Sequence, residues 1–321
     1  MHGGVVEPAQ RSERLPDGLY RFVWRTSARH QPWLVLLSVA VFLLDLVPIE
    51  LQRRIINEAI QRKALPTIVW MSAAYAAVVV LHGSTKLALN IYRGWVSERA
   101  NRKLRLLTCR EAEEGAERPH EGVRISIVVA EVEPIGGFVG AAISEPLLHA
   151  GALLSVFGYM LVLQPWMAVV VIGLFLPQGV VVPLMQRAIN RRTRRRIAVL
   201  REMSGGIVDD AKEGGWAGGR FERCVERVYD LAMQILRRNV ALNFLMNGLH
   251  HLGTAGILLV GGWLVVEGRT EVGTVVAFIS GLARIKDPWD DFVKFFQEVT
   301  NARVKYRLLA SALNGERRDG D

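Results

Sequence analysis

The stretch from Pro146 to Met185 contains no Asp, Glu, Lys or Arg, and His149 is its only side chain that titrates near neutral pH. One straight helix of that length would reach roughly 60 Å, about twice the thickness of a hydrocarbon core. The run is therefore predicted to fold back. Gln164-Pro165, near its middle, offers the break, because Pro disfavours the helical conformation in the residue before it. Cysteine is almost absent as well. Cys109 and Cys224 are the only two, both in segments assigned below to the cytoplasm, so neither is expected in a disulfide. No H-E-x-x-H, nucleophile elbow or Cys/His ligand spacing occurs, so neither a metal site nor a catalytic residue is expected. The phosphate-binding pattern G-x-x-x-x-G-K-S/T is missing too. Gly83-Ser84-Thr85-Lys86 lacks the first glycine and the spacing. The net charge of +9 suggests an anionic partner, yet there is no ribonucleoprotein-type aromatic motif and no Cys/His finger, which argues against nucleic acid. The first 32 residues are polar and basic and lack a small-residue cleavage pattern, so no cleavable signal peptide is expected and the first span serves as insertion signal.

What the chain does have is a series of apolar segments in a definite order. They run from Trp33 to Ile49, Thr67 to Leu89, about Phe138 to Leu163, Trp166 to Met185 and Asn243 to Val266. A sixth, Val272 to Ala283, is short of the roughly 20 residues a span needs before Arg284, Lys286, Asp287, Asp290 and Asp291 arrive. The basic residues choose an orientation. Five precede the first segment, eight lie between Arg93 and Arg124, thirteen between Arg187 and Arg238, and eight from Arg284 to Arg318. The alternate connections hold only Arg53, Arg54, Arg62 and Lys63, then none, then Arg269. The positive-inside rule thus predicts both termini in the cytoplasm of a multi-pass protein of the cell (inner) membrane. Six spans fit that alternation. The charges of the sixth should then face protein or a watery cavity, since each costs roughly 2.5–3.5 kcal/mol facing lipid at mid-bilayer.

The two long basic connections keep helical periodicity, as in Val96-Arg99-Lys103 and in the run from Arg191 to Met203. Each breaks at a turn-rich stretch, near Gly115 to Gly122 and near Gly214 to Gly219. The expected fold class is an all-α membrane protein of six transmembrane helices with long cytoplasmic helical extensions. Residues 1–32 form a basic cytoplasmic segment, 33–313 the membrane domain and 314–321 a polar tail.

This layout, together with several segments, resembles the transmembrane domain of type IV (exporter-like) ABC transporters. The segments are Gln52 to Ala59, Tyr92 to Arg99, Glu131 to Phe138, Pro165 to Ala168 and Val304 to Leu309. The resemblance covers about Tyr20 to Leu313. It implies a permease subunit that pairs with a second transmembrane half, as homodimer or heterodimer, to enclose a translocation pathway. It also implies short coupling helices that dock on a nucleotide-binding domain. By position these fall at Glu117, Arg118, Pro119 and His120, and at Trp216, Arg220, Phe221 and Glu222. An aromatic beside Arg at a loop tip suits an anchor in a partner's groove, although Trp216 and Phe221 packing on their own hairpin is the plainer alternative. Such chains commonly continue into an ATPase domain, whereas this sequence stops at Asp321. The expectation is a separate ABC ATPase subunit that carries ATP and Mg, with no cofactor on this chain. Two alternatives remain: a proton-driven carrier on the same fold, and a non-transporting or truncated membrane subunit.

Intramembrane charge marks functional suspects. Asp45 and Glu145 are the carboxylates best placed in apolar surroundings, with Arg284 and Lys286 as partners across the bundle, either lining the pathway or simply tying helices together. His250 and His251 are adjacent, so they point about 100° apart on a helix and do not share a ligand; His250 is taken as a pathway candidate. Pro48, Pro177, Pro183 and Pro288 are candidate kinks, because Pro removes one backbone bond and crowds the preceding turn. Glu131 and Glu133 read as capping acids at the start of the third span.

Overall fold

The computed structural model describes residues 15–16, 18–60, 65–114, 121–213 and 220–315. Helix α1 (Leu19–Ser27) buries Leu19, Phe22 and Val23 and leaves Tyr20 and Trp24 more than half exposed. With Arg21 and Arg25 beside them, this pattern suits a membrane–water interface. Helix α2 (Gln31–Arg54) starts with Pro in its first turn, where the missing N–H costs nothing. It passes Pro48 and runs into a π-helical segment, Ile55–Ile60. Four very long helices follow: α3 (Leu65–Glu114), α4 (Glu121–Leu163), α5 (Pro165–Glu213) and α6 (Arg220–Val266). Helix α7 (Val272–Gly315) closes the described chain. Among the described residues there is no strand.

Among the described residues, five helical stretches are long and apolar enough to cross a bilayer: Gln31–Glu58, Leu65–Thr108, Val132–Leu163, Pro165–Leu200 and Glu222–Val266. The protein is an all-α membrane protein. Helix α7 does not reach that standard of apolarity, because Arg284, Lys286 and Asp287 interrupt it so early. At 43 to 50 residues, α3 to α6 would measure roughly 65–75 Å, more than twice a hydrocarbon core of about 30 Å.

The turns follow local chemistry. Between α4 and α5 only Gln164 is non-helical, and Pro165 takes the first helical position, where it has no N–H to lose. Helix α6 ends in a Schellman motif. Gly268 adopts φ +69°, Gly268 N–H donates to the Val265 carbonyl at 3.0 Å, and Arg269 N–H reaches the Leu264 carbonyl at 2.9 Å. The start of α7 is capped from outside: Asn57, in the π-helical segment, accepts from Gly273 N–H at 2.7 Å and donates to the Glu271 carboxylate. One expectation needs correction. Because α4 begins at Glu121, Glu131 and Glu133 lie about three turns inside the helix and cap nothing.

The chain divides into two compact units. The first holds α1 to α3, α4 as far as Val156, and α7 from Arg284; the second holds the π-helical segment from Ile56, the end of α4, all of α5 and α6, and α7 up to Ala283. In the first, α2 packs on α3, and one apolar cluster joins Leu34, Leu89, Val96, Leu104, Ile135 and Phe295. Tyr306 anchors the far end of α7, its ring against Phe22 and its hydroxyl donating to the Pro16 carbonyl at 2.6 Å. In the second, α5 packs along α6 through Met167, Val171, Ile257 and Leu264, all fully buried. Cys224 is a buried free thiol there.

Candidate functional site

The first unit gathers ionisable side chains within its apolar helices. Asp45 and Arg284 each sit roughly 20 Å from a helix end, by position along α2 and α7. The Arg284 guanidinium pairs with the Asp45 carboxylate and also donates to the Asp45 carbonyl at 3.2 Å. His82 of α3 stands on the other side of that carboxylate, Nε2 to Oδ1 3.8 Å. Three helices thus meet at one carboxyl group. The side chains of Asp45 and Arg284 retain only 18% and 28% exposure, so separating them would leave two charges poorly served. Pro288 adds local freedom. Having no N–H, it cannot supply the helical bond to the Arg284 carbonyl four residues back.

A second pair lies on α3 and α4. Arg93 Nη1 donates to Glu145 Oε1 at 2.8 Å and Nη2 to Asn90 Oδ1 at 2.9 Å. Its geometry depends on close backbone approach. Gly140 faces the Arg93 carbonyl and Ser97, and Gly136 faces Asn101, so tightly that a Cβ on either would collide. Ser97 Oγ donates to the Gly137 carbonyl at 3.1 Å along the same seam. Small residues at one face allow this crossing, as expected where lipid supplies no hydrophobic drive between helices.

The remaining candidates are scattered. Lys286 is half-buried on α7, one turn from Asp290 by spacing. His250 is half-buried on α6, its ring edge-on to exposed His251 with centroids 5.9 Å apart. Pro48 is buried within α2, Pro177 is exposed and Pro183 half-buried within α5, and Pro288 is half-buried. All four lie inside continuous helices. Of the loop-tip residues, Glu117, Arg118, Pro119, His120 and Trp216 lie outside the described residues. Arg220, Phe221 and Glu222 form the first turn of α6, with Glu222 exposed. Among the described residues no group of three or more His, Cys, Asp or Glu is placed to hold a metal.

Two participants were not anticipated. Arg93 was counted with the cytoplasmic charges because the apolar run ends at Leu89, yet its side chain pairs with Glu145 of α4. His82 carried a visible signal: it and Lys86 are the only Asp, Glu, His, Lys or Arg residues between Thr67 and Leu89. Chemically, the arrangement offers carboxylates held by guanidiniums between helices.

No protein-family model matches the chain, and no curated protein matches it significantly.

Proposed function

We propose that this chain is the membrane-spanning half of an ATP-driven transporter, with six spans, a dimeric translocation pathway and an ABC ATPase on another polypeptide. The observation that carries this reading is the length of α3 to α6, each more than twice what a bilayer requires. Lipid has no use for the surplus. Two helical pairs extending well past the membrane are levers, suited to receiving motion from a soluble engine. In the cell membrane, both termini and both lever tips face the cytoplasm, as the basic residues indicate.

Helix α7 serves as the sixth span despite its charges, supported by the pairing of Arg284 with Asp45. A guanidinium paired in this way avoids much of the cost of facing lipid. ATP and Mg bind on the partner, whose hydrolysis rocks the two halves between inward- and outward-open states. The residues Glu117 to His120, and Trp216 with Arg220 to Glu222, receive that motion at the tips. Within the halves, the Asp45–Arg284 and Glu145–Arg93 pairs tie neighbouring helices into rigid sets, so movement is passed on rather than absorbed.

A proton-driven carrier is the rival on the same fold. It is disfavoured by one observation: Asp45 and Glu145, the carboxylates set in the apolar helices α2 and α4, are already engaged by a guanidinium. A proton would have to displace Arg284 or Arg93 to ride on either. The two readings separate by purifying the chain in mild detergent, identifying stoichiometric partners by mass spectrometry, and following flux in reconstituted vesicles. An ATPase subunit and ATP-dependent flux are expected. Flux that ignores ATP depletion and collapses with an uncoupler, or with Asp45→Asn, overturns the proposal in favour of the carrier. Absence of flux under either energy source points to a non-transporting subunit.

A further inference from the structure

The second unit carries a cationic cluster that the transport cycle does not use. Helix α5 has Arg187, Arg191, Arg192, Arg194, Arg195 and Arg196 within ten residues, and α6 brings Arg238 alongside. The helices are pinned at this level: Arg192 Nε donates to Gln234 Oε1 at 3.1 Å, and its Nη1 donates to the Ala188 carbonyl at 3.1 Å. Gln234 and Arg238 are one helical turn apart on α6, as are Arg191 and Arg195 on α5. The charges that act on the Arg192 guanidinium are those of Arg238, Arg191 and Arg195, all positive. Among the described residues, none of these four guanidiniums is paired with a carboxylate. Like charges brought together without a counter-charge repel one another unless an anion attends them.

Depth identifies the anion. Arg191 to Arg195 lie about 26 to 30 residues along α5 from Pro165, roughly 39–45 Å, and Arg238 lies about 28 residues from the end of α6, roughly 42 Å. A bilayer measures about 30 Å across its hydrocarbon and about 40–45 Å with its headgroups. With Pro165 and Val266 at the outer edge of one headgroup layer, both helices bring their arginines to the opposite phosphate layer. On the membrane side of the cluster, Val180 and Leu184 stand exposed on α5, and Leu184 shares a helix face with Arg191 and Arg195 seven and eleven residues on. The α5 surface thus offers acyl chains a lipophilic wall that leads up to the cations.

We infer that Arg191, Arg192, Arg195 and Arg238 form a binding site for the phosphodiester headgroup of an anionic phospholipid, in the leaflet on the side of the α5–α6 connection. Guanidinium suits this ligand because its planar fork matches two phosphate oxygens at once, and a cluster of Lys or Arg beside a membrane span reads as an anionic-lipid site. The site requires only that the chain spans the bilayer, and it stands whether or not the chain transports anything.

The test is native mass spectrometry of the intact chain in mild detergent, titrated with phosphatidylglycerol, phosphatidylcholine and soluble glycerol phosphate. The wild type should bind phosphatidylglycerol about tenfold more tightly than phosphatidylcholine. R191Q/R192Q/R195Q/R238Q should lose that preference, while R99Q/R102Q/K103Q/R105Q on α3, with the same loss of charge, should keep it. If the quadruple variant does not fold, R192Q/R238Q decides, with a drop of at least about threefold expected. Three results overturn the inference. The decisive variant may bind phosphatidylglycerol like the wild type, the α3 variant may lose the preference equally, or glycerol phosphate may compete as well as the lipid, which would mark a site for soluble phosphate esters.

Discussion

Helices α2, α3 and α7 add ion pairs to their shared apolar cluster, while the buried contacts of α5 and α6 are aliphatic side chains and glycine. In the first unit Asp45, His82 and Arg284 converge on one carboxylate, and Arg93 reaches Glu145. In the second, Gly253 lies against Leu174 and Leu282, Gly256 against Val170, and Gly261 against Met167 and Val275. The difference has a physical consequence. An ion pair in an apolar setting is all or nothing, since a charge without its partner is costly, so the first unit favours discrete arrangements. An aliphatic seam is more forgiving, because a shifted apolar contact leaves no charge or hydrogen-bonding group unpaired.

The sharpest way to break this contrast is Arg284→Ala. It should cost about 2 kcal/mol, below the 3–5 kcal/mol of a fully buried pair because both side chains keep some exposure. Thermal unfolding in detergent reads the loss. Asp45→Ala/Arg284→Ala should recover part of it, as a double-mutant cycle would show. Equal and additive losses would mean that the pair is not a unit. Next in size is Gly140→Ala, whose new methyl would meet the Arg93 carbonyl at 2.5 Å. Backbone cannot rotate away, so a cost of about 1–3 kcal/mol is expected. Gly256→Ala meets only a Val170 methyl at 2.9 Å and should cost less than about 1 kcal/mol. Reversal of that order would remove the distinction between rigid and forgiving seams.

Asn57→Ala tests the clasp at the start of α7, which belongs to the second unit but is polar. Losing the cap on Gly273 and the bond to Glu271 should cost about 1 kcal/mol. Faster amide exchange at Gly273 and Thr274 is the specific sign. The smallest effect is expected from Arg269→Ala. Its pair with Glu267 is 3.6 Å long and well exposed, so a change below about 0.5 kcal/mol in the same thermal assay is anticipated.

Much of this architecture was legible in hydropathy. The uncharged run with Gln164-Pro165 at its centre becomes α4, a one-residue break and α5. The regular spacing of apolar and basic positions after Tyr92 and Arg191 becomes the surplus length of α3 and α5, because a helix keeps its period after its surroundings turn from lipid to water. What stayed hidden was reach. Arg93 lies past the end of an apolar run, and sequence position does not tell which neighbour a long side chain finds. Asp45 was readable as a carboxylate in apolar company, but the convergence of His82 on it depends on how α2 packs against α3. Glu131 and Glu133 misled for a related reason: they mark where the apolar stretch starts, and the helix begins ten residues earlier.

The central claim is that force enters through the lever tips. Its most direct test is ATP hydrolysis by the assembly purified through a tag on this chain, compared with the same preparation from W216A/F221A. Hydrolysis by a stoichiometric ATPase is expected with the wild type, and loss of both activity and ATPase is expected with the variant while the membrane chain is recovered folded at equal yield. Undiminished hydrolysis in the variant, or a folded wild-type chain that brings no ATPase with it, contradicts ATP-coupled transport through these tips.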